Sequence, residues 1–449
     1  MYLSKYFHSI KIENSKYYAV YNALIMNVLY VNKQELDAII SVNESSPIDF
    51  CQTLIDNGIW VKNLDIDDRA LSLLRHEYLE SQKKIELLYI GITQGCNLGC
   101  KYCFLENEYA NWRPKIMSET IANEVVTKYI DYVKRKNIYK PQIIFFGGEP
   151  LLNWKVLKHI VSLCEPYNSE VDTDSRISFS IVTNGTLITD EIASFLVEHN
   201  IGIGLSIDGP KEINDKNRVF KSNGQSVYNR ILQSIEVLKK HGCSFGLSLT
   251  MSPEFIKHKE EIIPWLKKMN VGSIFTNFYQ HSEYHDWWKV HSIESARFIT
   301  DSFEELANLG IINGRPARQI ECLISGKMKF SDCAGVGLNQ FLIKPDGEVR
   351  VCQCDYRSED NHIGYISDGS IEEIMEKANS LKRWLNRTPI MREECQSCEA
   401  LFCCGGGCLT QSKILFGDGN MDESYCTYVK HMLNWFINYN FSQQNEGGD

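Results

Sequence analysis

Cys96, Cys100 and Cys103 directly follow the apolar run Leu87-Leu88-Tyr89-Ile90-Gly91-Ile92, which reads as a buried strand. The spacing Cys-x3-Cys-x2-Cys suits three corners of a cubane iron–sulfur cluster and leaves the fourth iron open to a ligand. A structural zinc site closes with four protein ligands, and no further Cys or His follows within several dozen residues. A strand that ends in such a loop fixes which end of a sheet carries the chemistry.

Beyond the loop, apolar strand-like runs near 86–92, 142–146, 177–183, 201–207, 244–251 and 273–278 alternate with amphipathic helical stretches near 118–135, 151–166, 189–199, 225–241, 254–269 and 293–309. This alternation predicts an α/β fold of βα units around a parallel sheet, with functional groups at the strands' C-terminal ends. Polar runs stand at those ends. Gly147-Gly148-Glu149-Pro150 follows the second strand, and two glycines there would let backbone carbonyls approach a ligand closely. Thr183-Asn184-Gly185 ends the third strand. Ser206-Ile207-Asp208-Gly209-Pro210 ends the fourth and is followed by Arg218, whose guanidinium fork suits a carboxylate.

With the aromatic Tyr102 just before the last triad cysteine, these segments together resemble the radical S-adenosylmethionine (SAM) enzymes. The resemblance implies a partial (β/α)6, TIM-like barrel over 85–315. Cys96, Cys100 and Cys103 would hold a [4Fe-4S] cluster that donates one electron to SAM, and homolysis would give a 5′-deoxyadenosyl radical that abstracts a substrate hydrogen. It further implies that Tyr102, Gly147, Gly148, Glu149, Asn184, Ser206, Asp208 and Arg218 bind SAM.

Ten of the sixteen cysteines lie after residue 320. In a chain of 449 residues with no apolar signal core at its start, so many cysteines point to metal or redox chemistry in the cytosol, not to disulfides. Cys333 and Cys352 bracket Gly347, and Cys395-x2-Cys398-x5-Cys404-x3-Cys408 leads on to Cys426. This seven-cysteine pattern resembles the SPASM extension, placed at 316–449. By that resemblance Cys395, Cys398, Cys404 and Cys426 hold an outer auxiliary cluster. Cys333, Cys352 and Cys408 hold an inner one, with Cys322 the candidate fourth ligand. Without Cys322 the inner cluster would keep an open iron. Cys354 and Cys403 lie next to proposed ligands and are alternatives to them, whereas Cys51, Cys164 and Cys243 read as core residues. The total is three [4Fe-4S] clusters, which imply an anaerobic setting. Gly405-Gly406-Gly407 supplies the tight backbone needed between ligands to two clusters.

Residues 1–84 differ in character. Short strands at 10–12, 17–21 and 28–31, a helix over 33–41 and another near 49–57 suggest a winged-helix-like module, and Leu71 to Lys84 reads as a polar-faced helical linker. The module resembles the precursor-recognition domain of peptide-modifying enzymes, in which a leader peptide adds a strand to a sheet edge. A structural cap over the barrel is the alternative. The net charge of −10 and the lack of a Lys/Arg block argue against nucleic acid, and no apolar run is long enough to span a bilayer.

The resemblance as a whole implies a radical SAM peptide maturase that installs a crosslink in a ribosomally made precursor peptide. A Cys-to-carbon thioether comes first, then a carbon–carbon link or epimerisation, with flavodoxin or ferredoxin as electron donor. Anaerobic sulfatase maturation to formylglycine is an alternative, although Gln353 stands after Cys352 where that group carries a carboxylate base, leaving Asp355 as the candidate base. A noncatalytic iron–sulfur carrier or peptide-binding scaffold is the alternative of another class. Trp287-Trp288 is assigned no role.

Overall fold

The computed structural model describes the chain apart from residues 43–47, 82–83, 104, 106–112, 280–284, 355–360, 378–380, 418–419 and 447–449, so Asp355 lies outside the described residues. Near the start, Tyr2–Leu3 (β1), Phe7–Lys11 (β2), Tyr17–Asn22 (β3), Leu29–Asn32 (β4) and Trp60–Val61 (β5) make two antiparallel sheets, β1–β5 and β2–β3–β4. Asn32 ends β4 and starts the helix Lys33–Ile40 through a reciprocal cap. Its side chain accepts the Glu35 N–H at 3.0 Å, and the Glu35 carboxylate accepts the Asn32 N–H at 2.7 Å. With the helix Ile48–Asp56, these strands enclose a small core of their own: Val20, Val31, Leu36, Ile39, Leu54, Ile59 and Trp60.

The stretch expected to be a linker belongs to an anchored helix, Asp65–Ser81. Ser4 Oγ and the Lys5 N–H donate to Asp67 at its start, at 2.9 and 2.7 Å. Further along, Arg75 Nε donates to the Ile390 carbonyl and the Tyr78 hydroxyl to that of Leu385, at 2.8 and 3.1 Å. Tyr78 is fully buried, so this helix packs onto the cysteine-rich region and does not merely span a gap.

Six parallel strands follow in sequence order: Leu87–Thr93 (β6), Gln142–Gly147 (β7), Ser178–Thr183 (β8), Gly202–Ser206 (β9), Phe245–Met251 (β10) and Ser273–Phe278 (β11). Helices return the chain between them, as in Glu119–Lys136. Ser118 caps its start by accepting the Ile121 N–H, Lys134 to Lys136 complement its last carbonyls, and Asn137 ends it in the left-handed region at φ 49°. Tyr129 and Tyr132 on its buried face hydrogen-bond the backbone of Glu86 and Ile85, which sets the entry to β6. The expected helix 254–269 is broken into Pro253–Lys257 and Ile262–Met269 by a turn at Lys259–Glu261.

Ile312–Asn313 (β12) extends this sheet beyond β11. On the opposite flank Gln340–Ile343 (β13) pairs parallel with β6, and Glu348–Arg350 (β14) and His362–Tyr365 (β15) continue antiparallel, giving a ten-stranded, mostly parallel sheet. The cysteine-rich region therefore grows from the same sheet that carries the triad. Trp288 is a core residue that packs on Phe278 and donates to Asp422 at 3.3 Å. No described helix is long and apolar enough to cross a membrane.

Candidate functional site

The triad loop leaves β6 and is clamped from two sides. Where β7 ends, the Gly148 N–H donates to the Thr93 carbonyl and the Glu149 N–H to that of Gly95, both at 2.8 Å. On the other side, Gly99 and Lys101 donate to Val219 and Asn217, and Lys221 donates back to Asn97, each at 3.0 Å. The Gly-Gly pair has a specific steric reason. A Cβ on Gly147 would lie 2.1 Å from the Thr93 oxygen, and one on Gly148 would lie 2.2 Å from the Gly95 oxygen. The close approach expected toward a ligand is thus an approach to the backbone of the cysteine loop itself.

Glu149 is wholly buried and organises the neighbouring strand end. Its carboxylate accepts the Leu151 N–H at 3.1 Å, the Thr183 hydroxyl at 2.7 Å and the Asn184 N–H at 2.8 Å. Burial raises its pKa to about 7 against these hydrogen bonds, which favour the anion. Asn184, so placed, donates to Asn97 Oδ1 at 2.9 Å and reaches Cys96 Sγ at 3.7 Å, and its own oxygen accepts from the Thr186 backbone N–H and hydroxyl. Asn97, Thr183 and Thr186 belong to this network, and reading motifs singly did not select them. They sit beside selected residues, and that adjacency was the available signal.

Asp208 and Arg218 form a buried bidentate pair, with Nε at 3.0 Å and Nη2 at 3.2 Å from the two carboxylate oxygens. The Tyr102 hydroxyl donates to Asp208 at 2.5 Å, the Thr250 N–H donates at 3.2 Å, and the guanidinium lies 5.4 Å from the Tyr102 ring centroid. The pair thereby joins the triad loop to the ends of β9 and β10. Ser206 is half-buried at the end of β9, in register with Ser248 of β10.

The later cysteines fall into groups. Cys395, Cys398, Cys404 and Cys426 influence one another electrostatically, as do Cys333, Cys352 and Cys408. Gly405, Gly406 and Gly407 between the two sets have φ of 68°, 83° and 68°. Side chains there would strike Asp332, the Arg387 carbonyl and the Tyr425 ring at 2.5, 2.2 and 2.7 Å. Cys322 lies on the helix Gly314–Ser325, where its thiol donates to the Gln319 carbonyl at 3.3 Å.

Residues 90–266 match the radical SAM superfamily, and residues 333–399 match SPASM, an iron–sulfur cluster-binding domain. The chain carries a radical SAM domain and a SPASM domain. It is 26% identical over 374 residues to the radical SAM cyclopropyl synthase TigE of Paramaledivibacter caminithermalis, covering 80% of this chain and 75% of that protein. It is also 26% identical over 337 residues to a cysteine-type anaerobic sulfatase-maturating enzyme of Clostridium perfringens, covering 72% and 88%. The solved structure of Streptococcus suis SuiB bound to the precursor peptide SuiA shares the fold at a TM-score of 0.55 and 15% identity, covering 94% of this chain and 99% of that one.

Radical SAM and SPASM domains imply SAM and iron–sulfur clusters, and the thiols present suit such groups. Burial pushes the Cys96 thiol up to about 12 and those of Cys333 and Cys395 up to about 11, so a thiolate at these positions would need a metal's charge to hold it. Cys96, Cys333, Cys352, Cys398, Cys404 and Cys408 each accept a backbone N–H two or three residues ahead, from Leu98, Val336, Cys354, Ala400, Gly406 and Gln411. Such donors stabilise a thiolate and tune a cluster. Cys243, Cys322 and Cys403 donate S–H to the carbonyls of Ala193, Gln319 and Ala400, and Cys322 also accepts the Leu323 N–H.

Proposed function

We propose that this enzyme modifies a peptide by radical chemistry and installs a crosslink in a ribosomally made precursor, a Cys-to-carbon thioether before a carbon–carbon link or epimerisation. The observation that carries the reading is the convergence of a doubly clamped triad loop, the Glu149–Asn184 network and the Asp208–Arg218 pair at adjacent strand ends, with two further cysteine groups on the flank of the same sheet. Cys96, Cys100 and Cys103 would hold one [4Fe-4S] cluster and the SPASM cysteines two more. Tyr102, Gly147, Gly148, Glu149, Asn184, Ser206, Asp208 and Arg218 would line the SAM site. SAM bound there would supply, on one-electron reduction, a 5′-deoxyadenosyl radical able to take hydrogen from a substrate. Glu149 holds the Asn184 loop against Cys96, and Asp208 holds Arg218 and Tyr102 in one orientation. A donor such as flavodoxin or ferredoxin would deliver the electron in the cytosol.

Residues 1–84 would form a winged-helix-like module whose sheet β2–β3–β4 accepts the leader as an added strand, ahead of the barrel at 85–315 and the SPASM domain at 316–449. Support comes from SuiB, solved with its precursor peptide and similar across 94% of this chain.

A second reading, formylglycine formation on a sulfatase, is favoured by the likeness to the sulfatase-maturating relative. Gln353 weighs against it. Its amide oxygen accepts from Gln340 Nε2 at 2.7 Å, and an amide takes up no proton. Asp355 remains its candidate base.

Anaerobic coexpression with the peptide of a neighbouring short reading frame, followed by mass spectrometry, tests the two readings. Loss of a hydrogen pair with a new crosslink supports the first. Conversion of Cys or Ser to formylglycine in a sulfatase-derived peptide supports the second. A mass gain from methyl or methylthio transfer contradicts both.

A further inference from the structure

Three arginines are buried among the described residues, and two of them hold a carboxylate. Arg218 grips Asp208, and Arg350 Nη2 lies 2.6 Å from Glu348. Arg387 is different. Its Nη1 donates to the Asn420 carbonyl at 3.0 Å, its Nε has no hydrogen-bond partner, and among the described residues it makes no ion pair. Asp422, close by in the chain, is engaged elsewhere, accepting from Trp288 Nε1, Gln411 Nε2 and the Tyr425 N–H. Burying a cation is costly unless an anion answers it, so an arginine kept in this state points to a negative group beside it.

The chain places Arg387 on both flanks of Cys408. A Cβ on Gly406 would lie 2.2 Å from the Arg387 carbonyl oxygen, so the backbone of Arg387 rests against the glycine turn just before Cys408. Its guanidinium shares the Asn420 carbonyl with Ser412 Oγ. Ser412 stands on the helix Leu409–Phe416, whose first turn Cys408 caps by accepting the Gln411 N–H at 3.4 Å. Contacts bring the other two thiols of the inner group to the same place. The Thr410 hydroxyl, on the turn that Cys408 caps, donates to Cys352 Sγ at 3.8 Å. The point where a Cβ on Gly335 would sit lies 3.7 Å from Cys333 Sγ and 3.4 Å from both the Trp384 ring and Gln340 Nε2. That nitrogen donates to the Val351 carbonyl, next to Cys352, at 3.0 Å.

Arg387 has company. Trp384 and Thr388 are fully buried too, and Trp384 Nε1 and Thr388 Oγ1 also lack hydrogen-bond partners. Three unanswered donors thus fall within residues 384–388, along the edge of the thiol group. Buried polar groups are almost always paired, and the sulfurs of an iron–sulfur cluster are acceptors able to serve several donors at once.

We infer that Arg387 tunes the inner auxiliary cluster, its guanidinium supplying a buried counter-charge and, with Trp384 and Thr388, hydrogen bonds that raise the cluster's reduction potential. Charge, hydrogen bonds to sulfur and exclusion of water are the levers a protein has on such a centre, and this stretch supplies all three. The inference rests on the reading above that Cys333, Cys352 and Cys408 hold a cluster.

A redox titration of the anaerobically reconstituted holoenzyme, followed by electron paramagnetic resonance, tests it against Arg387→Gln, Trp384→Phe and Cys352→Ser. Cys352→Ser marks the inner cluster by the signal that it alters or removes. Arg387→Gln should keep the wild-type iron and sulfide content and lower the midpoint of that same signal. At a fixed potential its reduced-to-oxidised ratio should fall about tenfold or more, a shift of about 59 mV for one electron. Trp384→Phe keeps a packing ring and removes only the indole N–H, which guards against a misfolded Arg387→Gln; it should lower the same midpoint by less. Full iron with wild-type midpoints in the folded variants overturns the inference, as does a shift confined to a signal that Cys352→Ser leaves intact. If Cys352→Ser itself keeps every iron and every signal, it is the inner-cluster reading that fails.

Discussion

The triad loop and the SPASM cysteines present the same ligand atoms, yet the protein prepares them differently. The triad spans eight residues, and backbone hydrogen bonds to the β7 turn and to residues 217–221 hold its loop without help from any cysteine. The SPASM thiols come from segments as distant as Cys333 and Cys426, and the Gly405–Gly407 turn that joins the two sets is packed against Asp332, Arg387 and Tyr425. A local loop can keep its shape when its metal is absent. A site gathered from separate segments shares its binding energy with the folding of those segments.

Replacing the whole triad, Cys96→Ala, Cys100→Ala and Cys103→Ala, should abolish SAM cleavage while lowering Tm by no more than about 3 °C, since exposed or half-buried changes away from the clamps cost little. Calorimetry and a 5′-deoxyadenosine assay check this, and a collapse in Tm would erase the contrast between the regions. Cys404→Ala should act on the fold, lowering the Tm of the reconstituted protein by about 10 °C or more. Arg218→Met removes the cation from a wholly buried carboxylate and should cost about 3–5 kcal/mol in chemical denaturation. An unchanged midpoint would mean that the Asp208 pair does not hold the strand ends together.

Glu149→Gln should have the smallest effect. It turns an N–H toward the Asn184 N–H or leaves that donor unpaired, at about 1–3 kcal/mol. It also removes a pH dependence. Because burial raises the Glu149 pKa from 4.5 to about 7, the wild-type contribution is most favourable below 4.5, where the group is protonated in both states, and is lost as pH rises toward about 7. Denaturation midpoints across that window should fall less steeply with pH in Glu149→Gln than in the wild type.

Much of this was legible in the sequence because the parallel sheet repeats one local pattern. Each apolar run from β6 to β11 lies within two residues of its expected bounds, and the polar runs mark the strand ends. Pairings between such runs were not legible. Asp208 and Arg218 each stood out, but their capture of one another depends on a chain reversal through the short helix Lys211–Asn217. The parallel pairing of β13 with β6 joins residues some 250 positions apart and has no local signature. The Cys322 thiol donates to the Gln319 carbonyl of its own helix, a contact that spacing alone does not reveal. Leu71 to Lys84 reads as a linker because its surface is polar; the contacts of Arg75 and Tyr78 with carbonyls more than 300 residues away have no local signature.

The most direct test of the central claim is reductive SAM cleavage by the anaerobically reconstituted protein in the presence of its peptide. The account predicts 5′-deoxyadenosine from the wild type and none from Cys96→Ala, with the SPASM iron retained in that variant. Cleavage that survives Cys96→Ala, or a fully loaded wild type that makes no 5′-deoxyadenosine with strong reductant, would contradict it.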